Sequence, residues 1–291
     1  MKKILLDLLY DSSALVKFCK SKGISVPRKY SSIRKNDIKK SLSDESIYTR
    51  HDEKKNKYFY QFFPSYDIGL RIIKVDVQVA PKWSLGETKA MVEDVFNNVK
   101  RIKRAHFYVP VNSRLYNHLL DLGGRSRGEE LLASVDDGLK YLSKYEYDKD
   151  VKVVKLNKDL SDEVADIEYL AHKFSTTSRC ENFPRKMFLG FVENLIKYNV
   201  DALVAVEDGK AIGFIVPSIS RTNVGHIMSI SVHPDAQGRG VSKLLYNEAL
   251  KYYKKKKISV YAGVSSTNEV LGFSKKLKRR AMFAYIELIR K

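Results

Sequence analysis

The strongest constraint on this chain is that its strand pattern occurs twice. "VDVQVAP", ending at Pro81, has a counterpart in "SISVHP", ending at Pro234, and both prolines close an alternating apolar run. "HFYVPVNS" around Tyr108 matches "SVYAGVSS" around Tyr261 at the same spacing of 153 residues, and the intervening helical segments fall in step. Repetition on this scale describes architecture: one strand–helix–strand unit used twice in succession. A chain of 291 residues suits two domains of about 145 each. The boundary is set between 1–145 and 146–291, with the joint at about 140–150.

The periodicity predicts a first helix over residues 3–22, stopped by Gly23, and a basic loop and second helix to about Lys40. "SIYTRHDEKKNKYFYQFF" reads as two strands around a charged turn and "LRIIKVDVQVAP" as a longer strand. A helix follows to about Lys100, then strand "AHFYVPV", a helix closed by Gly123-Gly124, and strand "RGEELLASV". The second half opens with "VKVVKL", then helices near 161–173 and 184–197. "DALVAVEDGKAIGFIVP" is a hairpin with Asp208-Gly209 as its turn. Strand "GHIMSISVHP", helix 239–253, strand "KISVYAGV", helix 267–277 and a last strand "AMFAYIELI" complete the chain.

The charge balance is lopsided, 53 Lys plus Arg against 34 Asp plus Glu, a net +19. Such a surface attracts polyanions: nucleic acid, acidic membrane or phosphorylated small molecules. Charge alone does not choose among these, and solvated surface lysine accounts for the same count. The two cysteines, Cys19 and Cys180, build neither a disulfide framework nor a metal site, which fits a reducing, cytoplasmic compartment. The apolar N-terminal run is interrupted by Asp7 and Asp11, so it reads as an amphipathic segment rather than a signal peptide. No apolar run reaches the length of a membrane span.

The chemistry concentrates in "SVHPDAQGRGVSKLL", residues 231–245, where a strand hands over to a helix through Gly238-Arg239-Gly240. The first turn of a helix carries unpartnered N–H groups and the positive dipole end, and glycines let a ligand approach that backbone. The product is an anion cradle suited to phosphate; an ordinary tight turn needs the same glycines. The third glycine of a dinucleotide fingerprint is replaced by Lys243, and a Walker loop is absent.

In context, Gln237-Gly238-Arg239-Gly240-Val241-Ser242 after a Val-x-Pro strand end resembles the acetyl-CoA loop of the GNAT N-acetyltransferases, Gln/Arg-x-x-Gly-x-Gly/Ala. Gln237 and Gly240 match it, and Ser242 stands where glycine or alanine is usual. "VSSTNEVLGFSKKL" resembles the family's second motif, with Asn268 opening a helix. The resemblance covers 151–291 well and 65–135 weakly. It implies an α+β (mixed α/β) fold, a central, mostly antiparallel twisted sheet flanked by helices, present twice. It also implies acetyl-CoA as acyl donor, with pantetheine against the backbone of Ile230, Ser231 and Val232 and pyrophosphate on the amides of Gly238 through Lys243. Asn268 would reach the pantetheine or the leaving sulfur. Transfer would be direct to a primary amine, with a backbone N–H at a bulge in the strand polarising the thioester carbonyl.

The match departs at the proton-handling positions. Where many relatives carry a strand glutamate this chain has Met228, leaving His226, two residues earlier, as the nearest titratable substitute for a general base. Lys275 occupies the place of the family's acid tyrosine, leaving neighbouring Ser274 as a candidate proton relay and Lys275 as a candidate donor. In the first half, "PKWSLGETK" puts Gly86 and Glu87 where the cradle would be, which implies a degenerate copy without a donor site. The acceptor cleft falls to "FSTTSRCENFPRKMFLGF", whose Arg179, Arg185 and Lys186 favour an acidic or phosphorylated amine, small-molecule or peptide. Cys180, beside Glu181, is read as a bystander, because no covalent step is needed. The competing class is a non-catalytic module that binds CoA or nucleic acid on the same scaffold. Neither reading uses a metal or a membrane.

Overall fold

The computed structural model describes residues 13–41, 48–51, 58–67, 70–79, 83–111, 113–173, 183–265 and 273–290. The chain divides into two compact units, Met1–Glu130 with Ala281–Lys291, and Leu131–Arg280.

The first unit holds α1 (Ala14–Lys22), α2 (Arg28–Ser41), β1 (Tyr48–His51), β2 (Tyr58–Asp67), β3 (Leu70–Val79), α3 (Leu85–Asn98), β4 (Arg104–Pro110) and α4 (Arg114–Asp121). Gly23 stops α1 in the left-handed conformation that glycine adopts without penalty. The strands run in the order β1-β2-β3-β4-β11, where β11 is the final strand Arg280–Ile289. All these neighbours are antiparallel except β3 and β4. Period-2 alternation puts Ile73, Val75 and Val77 of β3, Phe107 of β4 and Ala284, Ile286 and Leu288 of β11 on one face. There they bury against Met91, Val95 and Phe96 of α3 and Leu115 and Leu119 of α4.

The chain passes between units along β5 (Arg125–Ser134). The second unit contains α5 (Val135–Leu142), β6 (Lys152–Lys155), α6 (Ser161–Lys173), α7 (Arg185–Lys197), β7 (Leu203–Glu207), β8 (Lys210–Ile219), β9 (Gly225–Val232), a 3-10 turn Pro234–Ala236, α8 (Val241–Lys255) and β10 (Val260–Ser265). Its strands run β10-β9-β8-β7-β6, antiparallel except for the parallel pair β9–β10. Phe214 and Val216 of β8 bury on the α6–α7 face, whereas Ile215 between them joins Leu245, Tyr246, Ala249 and Tyr253 of α8 on the other.

The strands of each unit are mixed, mostly antiparallel, and packed against helices. The parallel strand–helix–strand occurs in both, as β3–α3–β4 and β9–α8–β10. The registers differ. Asp76 stands beside Tyr108, whereas Gly225 stands beside Tyr261, where the 153-residue spacing would put Ser229. β11, which chain order groups with the second half, pairs with β4 from Phe283–Pro110 to Ile289–Arg104. Three of its apolar side chains complete the first unit's core. Among the described residues no helix is long and apolar enough to cross a membrane.

Candidate functional site

In the second unit, β9 ends at Val232 and the chain turns through Pro234–Ala236 into two glycines with left-handed backbones, Gly238 at φ 80° and Gly240 at φ 87°. An L side chain at either position is strained. A β-carbon added at either would meet no atom within 4 Å, so the space in front of both is open. Gly240 is the N-cap of α8 and supplies no side-chain hydrogen bond, and the first turn has no acidic residue. The N–H groups and positive dipole end of α8 thus face the open space without a built-in anion. At the start of α3, by contrast, the Ser84 hydroxyl accepts from the Glu87 N–H at 3.2 Å while the Glu87 carboxylate accepts from the Ser84 N–H at 2.7 Å. That capping box fills in the first unit the place left open in the second.

A cavity of about 160 Å³ lies between the glycine loop and residues Tyr145 to Asp148, with Lys243 and Leu244 also on its wall. The Lys243 ammonium sits 3.8 Å from the centre of the Tyr145 ring. Arg239 turns its guanidinium to both carboxylate oxygens of Glu207 and to Asp148, 3.5 Å away. The hydrogen bond from Arg239 holds the half-buried Glu207 carboxyl below its usual range. Arg239 thereby braces the loop on β7, and its backbone is what remains for a ligand. The Gln237 side-chain amide reaches the Val232 carbonyl at 3.4 Å.

β9 carries the second feature. Ser229 pairs with Val216 of β8 and Ile227 with Pro217, so Met228 is an extra residue, a bulge. Pro217, which has no N–H for a ladder bond, sits at this irregularity as an interior-strand proline must. The described pairing of β9 with β10 runs from Gly225 to Ile227; Ile230, Ser231 and Val232 pair with β8 on their other side. The bulge also reverses the alternation of faces. Ile227 lies in the core beneath α8, and a β-carbon on Gly225 would strike the Tyr253 ring there. Beyond the bulge Ile230 and Val232 are on the α8 face, while Ser229 and Ser231 turn to α6.

Of the sequence-predicted proton carriers, half-buried His226 lies between Gly225 and Ile227 and so faces α6, and burial lowers its imidazole pKa. Because Met228 is bulged, period-2 alternation does not relate it to His226. Ser274 is fully buried, and its hydroxyl accepts from Arg279 Nη1 at 3.1 Å. The same nitrogen donates to the Tyr246 hydroxyl of α8 at 3.0 Å. Ser274 therefore belongs to a core network on the α8 side, and the structure does not bring it together with His226. Val241 is buried and Ser242 and Lys243 half-buried in the first turn of α8. Asn268, Arg179, Cys180 and Glu181 lie outside the described residues. Arg185 is spent on Asp162, at 3.1 Å, and on Asp166.

Two residues at this site were not anticipated. Glu168 of α6, 4% exposed, accepts hydrogen bonds from the Ser229 hydroxyl at 2.7 Å and from the Ser231 hydroxyl. One turn later, His172 places Nε2 3.4 Å from the Glu168 carboxylate and stacks on Phe188 of α7, ring centres 5.3 Å apart. The available signal was a carboxylate on the apolar stripe Val164–Ala165–Ile167 of an amphipathic helix, where burial demands partners.

Residues 166–271 match the family model "Acetyltransferase (GNAT) family". An uncharacterized N-acetyltransferase of Methanocaldococcus jannaschii is 31% identical over 97 residues, covering 28% of this chain and 43% of that protein. The chain thus spans under half the length of that curated relative. The fold is shared with a GCN5-related N-acetyltransferase from Sphaerobacter thermophilus (TM-score 0.59, 13% identity, 96% of this chain and 92% of that one). It is shared also with a tandem GNAT protein from the clavulanic acid biosynthesis pathway (TM-score 0.54, 11% identity, 98% and 94%).

Proposed function

We propose, from the premise that residues 166–271 form a GNAT acetyltransferase domain, that the second unit moves an acetyl group from acetyl-CoA directly to a primary amine in a ternary complex. One observation carries this reading: β9 combines a bulge at Met228, a stretch beyond Ile227 paired on one side only among the described residues, and an uncapped helix at its end. The open space at Gly238 and Gly240 fits a pyrophosphate on the amides of Gly238 through Lys243. Pantetheine then adds to the edge at Ile230, Ser231 and Val232 as an extended ligand does. The N–H groups at the bulge are those that would polarise the thioester carbonyl as negative charge develops on its oxygen. Lys243 supplies a cation near the phosphates.

The acceptor we infer is a small-molecule or peptide amine, with acidic or phosphorylated groups favoured by the net charge of +19. With Arg185 committed to Asp162 and Asp166, Lys186 is the described residue of that segment left to support this preference. The first unit, whose α3 start is closed by Ser84 and Glu87, serves without a donor site of its own. The two cysteines support a reducing, cytoplasmic setting; Cys19 is buried, which pushes its thiol up to about 11. A second reading, a non-catalytic CoA- or nucleic-acid-binding protein, draws on the same net charge and on Met228 in place of a strand carboxylate.

Calorimetric titration with acetyl-CoA, beside Gly240→Asp, tests the proposal. Binding by wild type, lost in a folded variant whose carboxylate enters the cradle, is expected, followed by turnover with an amine. Failure of wild type to bind would reduce the loop to a turn. Binding without turnover, with a salt-dependent shift of duplex DNA or RNA, would favour the second reading.

A further inference from the structure

The transferase reading requires a group to take the proton of the amine, because an ammonium has no lone pair to attack with and Met228 cannot accept a proton. The geometry points to His172 as the general base of the second unit, held by Glu168 and, through it, by Ser229 and Ser231 of β9. This inference rests on the transferase reading of the same site.

The helix delivers His172 to the right level. At the start of α6 the Glu163 carboxylate accepts from the Ala211 N–H of β8 at 2.6 Å. Near that end of β8, Gly213 pairs with Val232, the last residue of β9. Glu168 then reaches Ser231 and Ser229, so α6 descends along β9 toward the bulge. One further turn, about 6 Å of rise, carries His172 to the level of Met228, where the reacting carbonyl is read to lie.

Each contact has a chemical consequence. The two serine hydroxyls donate to Glu168 and fix the orientation of its carboxylate. That carboxylate lies 3.4 Å from His172 Nε2 and fixes the orientation of the ring that takes up the proton. Phe188 holds the ring plane. The constellation is a base positioned by a buried acid, itself positioned by a third pair of groups. The serines face Glu168 because the bulge reverses the strand's alternation, so one irregularity serves both the carbonyl and the base.

The step balances without a further reagent. His172 removes one proton from the ammonium, and the freed lone pair forms the C–N bond to the acetyl carbon. The C–S bond breaks with its electron pair on sulfur, and the product ammonium's second proton leaves with the thiolate as CoA thiol or to solvent. Other charged and titratable groups lie near the pair among the described residues. On α6, Lys173 lies 5.3 Å from the Tyr169 ring centre. On α7, Arg185 is bound to Asp162 and Asp166. The 3-10 turn brings His233 and Asp235, 3.7 Å from each other, and β9 brings His226.

Wild type, His172→Ala, His172→Gln and Glu168→Gln, all full length, are compared by CoA thiol release from acetyl-CoA. Spermidine and a lysine tripeptide serve as probe amines, from about pH 5.5 to 9. Wild-type kcat/KM should fall on an acid limb as the base becomes protonated. Both His172 variants should lose about 10²–10⁴-fold in kcat and the limb itself, with acetyl-CoA affinity within about twofold and partial rescue of His172→Ala by free imidazole. Glu168→Gln should lower kcat while leaving acetyl-CoA affinity within about twofold, because the ring loses the carboxylate that orients it; if it fails to fold, the His172 variants decide. An unchanged limb in active His172→Ala, or its loss in His226→Ala instead, would overturn the assignment while leaving the transferase standing. Wild type that binds acetyl-CoA yet releases no thiol with either amine would overturn both.

Discussion

Glu287 of β11 is a buried charge of the first unit held by several basic side chains. Its side chain is 3% exposed and accepts from Arg127 Nε at 3.0 Å and Nη2 at 2.5 Å, from Arg104 Nη1 at 2.9 Å, and lies 3.2 Å from His106 Nε2. Burial by itself would raise its pKa. Hydrogen bonds from Arg127, His106 and Arg104, with the Arg127 charge, outweigh burial and hold the carboxyl below its usual range. Glu287→Ala removes the carboxylate that Arg127 and Arg104 share and leaves their charges facing each other, a loss of about 3–5 kcal/mol for a fully buried network. Arg104 is 38% exposed and Arg127 27%, so both can turn toward water and the lower end, about 3 kcal/mol, applies. The melting temperature should fall by on the order of 10 °C. A carboxyl with a depressed folded pKa stabilises above its unfolded pKa of about 4.3, and that contribution is lost as pH falls through the folded value. The gap between wild type and Glu287→Gln should therefore be widest near neutrality and close under acid. Urea denaturation followed by tyrosine fluorescence at several pH values measures it. A neutral-pH difference under about 0.5 kcal/mol, the scale of an ordinary surface substitution, would refute the reasoning.

Three further outcomes follow from the same structure. Burial pushes Glu130 up to about 7 against the opposing charge of Lys74, so the native state holds a proton the unfolded chain has lost. Stability should decline as pH rises from about 4.5 to 7 and level above it, and Glu130→Gln should flatten that slope in denaturation curves. Ser84→Ala, which opens the capping box of α3, should cost about 1 kcal/mol without weakening acetyl-CoA binding by the intact protein, read by melting and calorimetry. A β-carbon at Gly263 of β10 would collide with Arg279 Nη2, so Gly263→Ala should displace the guanidinium from Tyr246 and Ser274. The expected loss is about 1–3 kcal/mol, and an unshifted melting curve would contradict it.

Periodicity, turn chemistry and the glycine loop are local, and the sequence determined them. Alternating runs in β3, β8 and β9 could bury one face only as strands, Asp208 and Gly209 have the positive φ that a tight hairpin turn requires, and Gly238 and Gly240 have the left-handed backbones that their residue type allows. Ser84 and Glu87 stand at capping-box spacing in the sequence itself. What required the tertiary structure is long-range. Whether β11 joins the strands before or after it depends on which open edge and apolar face its residues complete, and 181 positions separate His106 from its partner Glu287. The bulge at Met228 is invisible to a period-2 pattern because it consists of a mismatch with β8, with Pro217 as its faint local trace. That single extra residue decides which faces Ser229 and Ser231 present, and therefore that Glu168, 61 and 63 positions away, meets them. A sequence states what each residue can do over a few neighbours; which carboxylate meets which hydroxyl is settled only when the sheet closes and leaves each buried polar group one partner within reach.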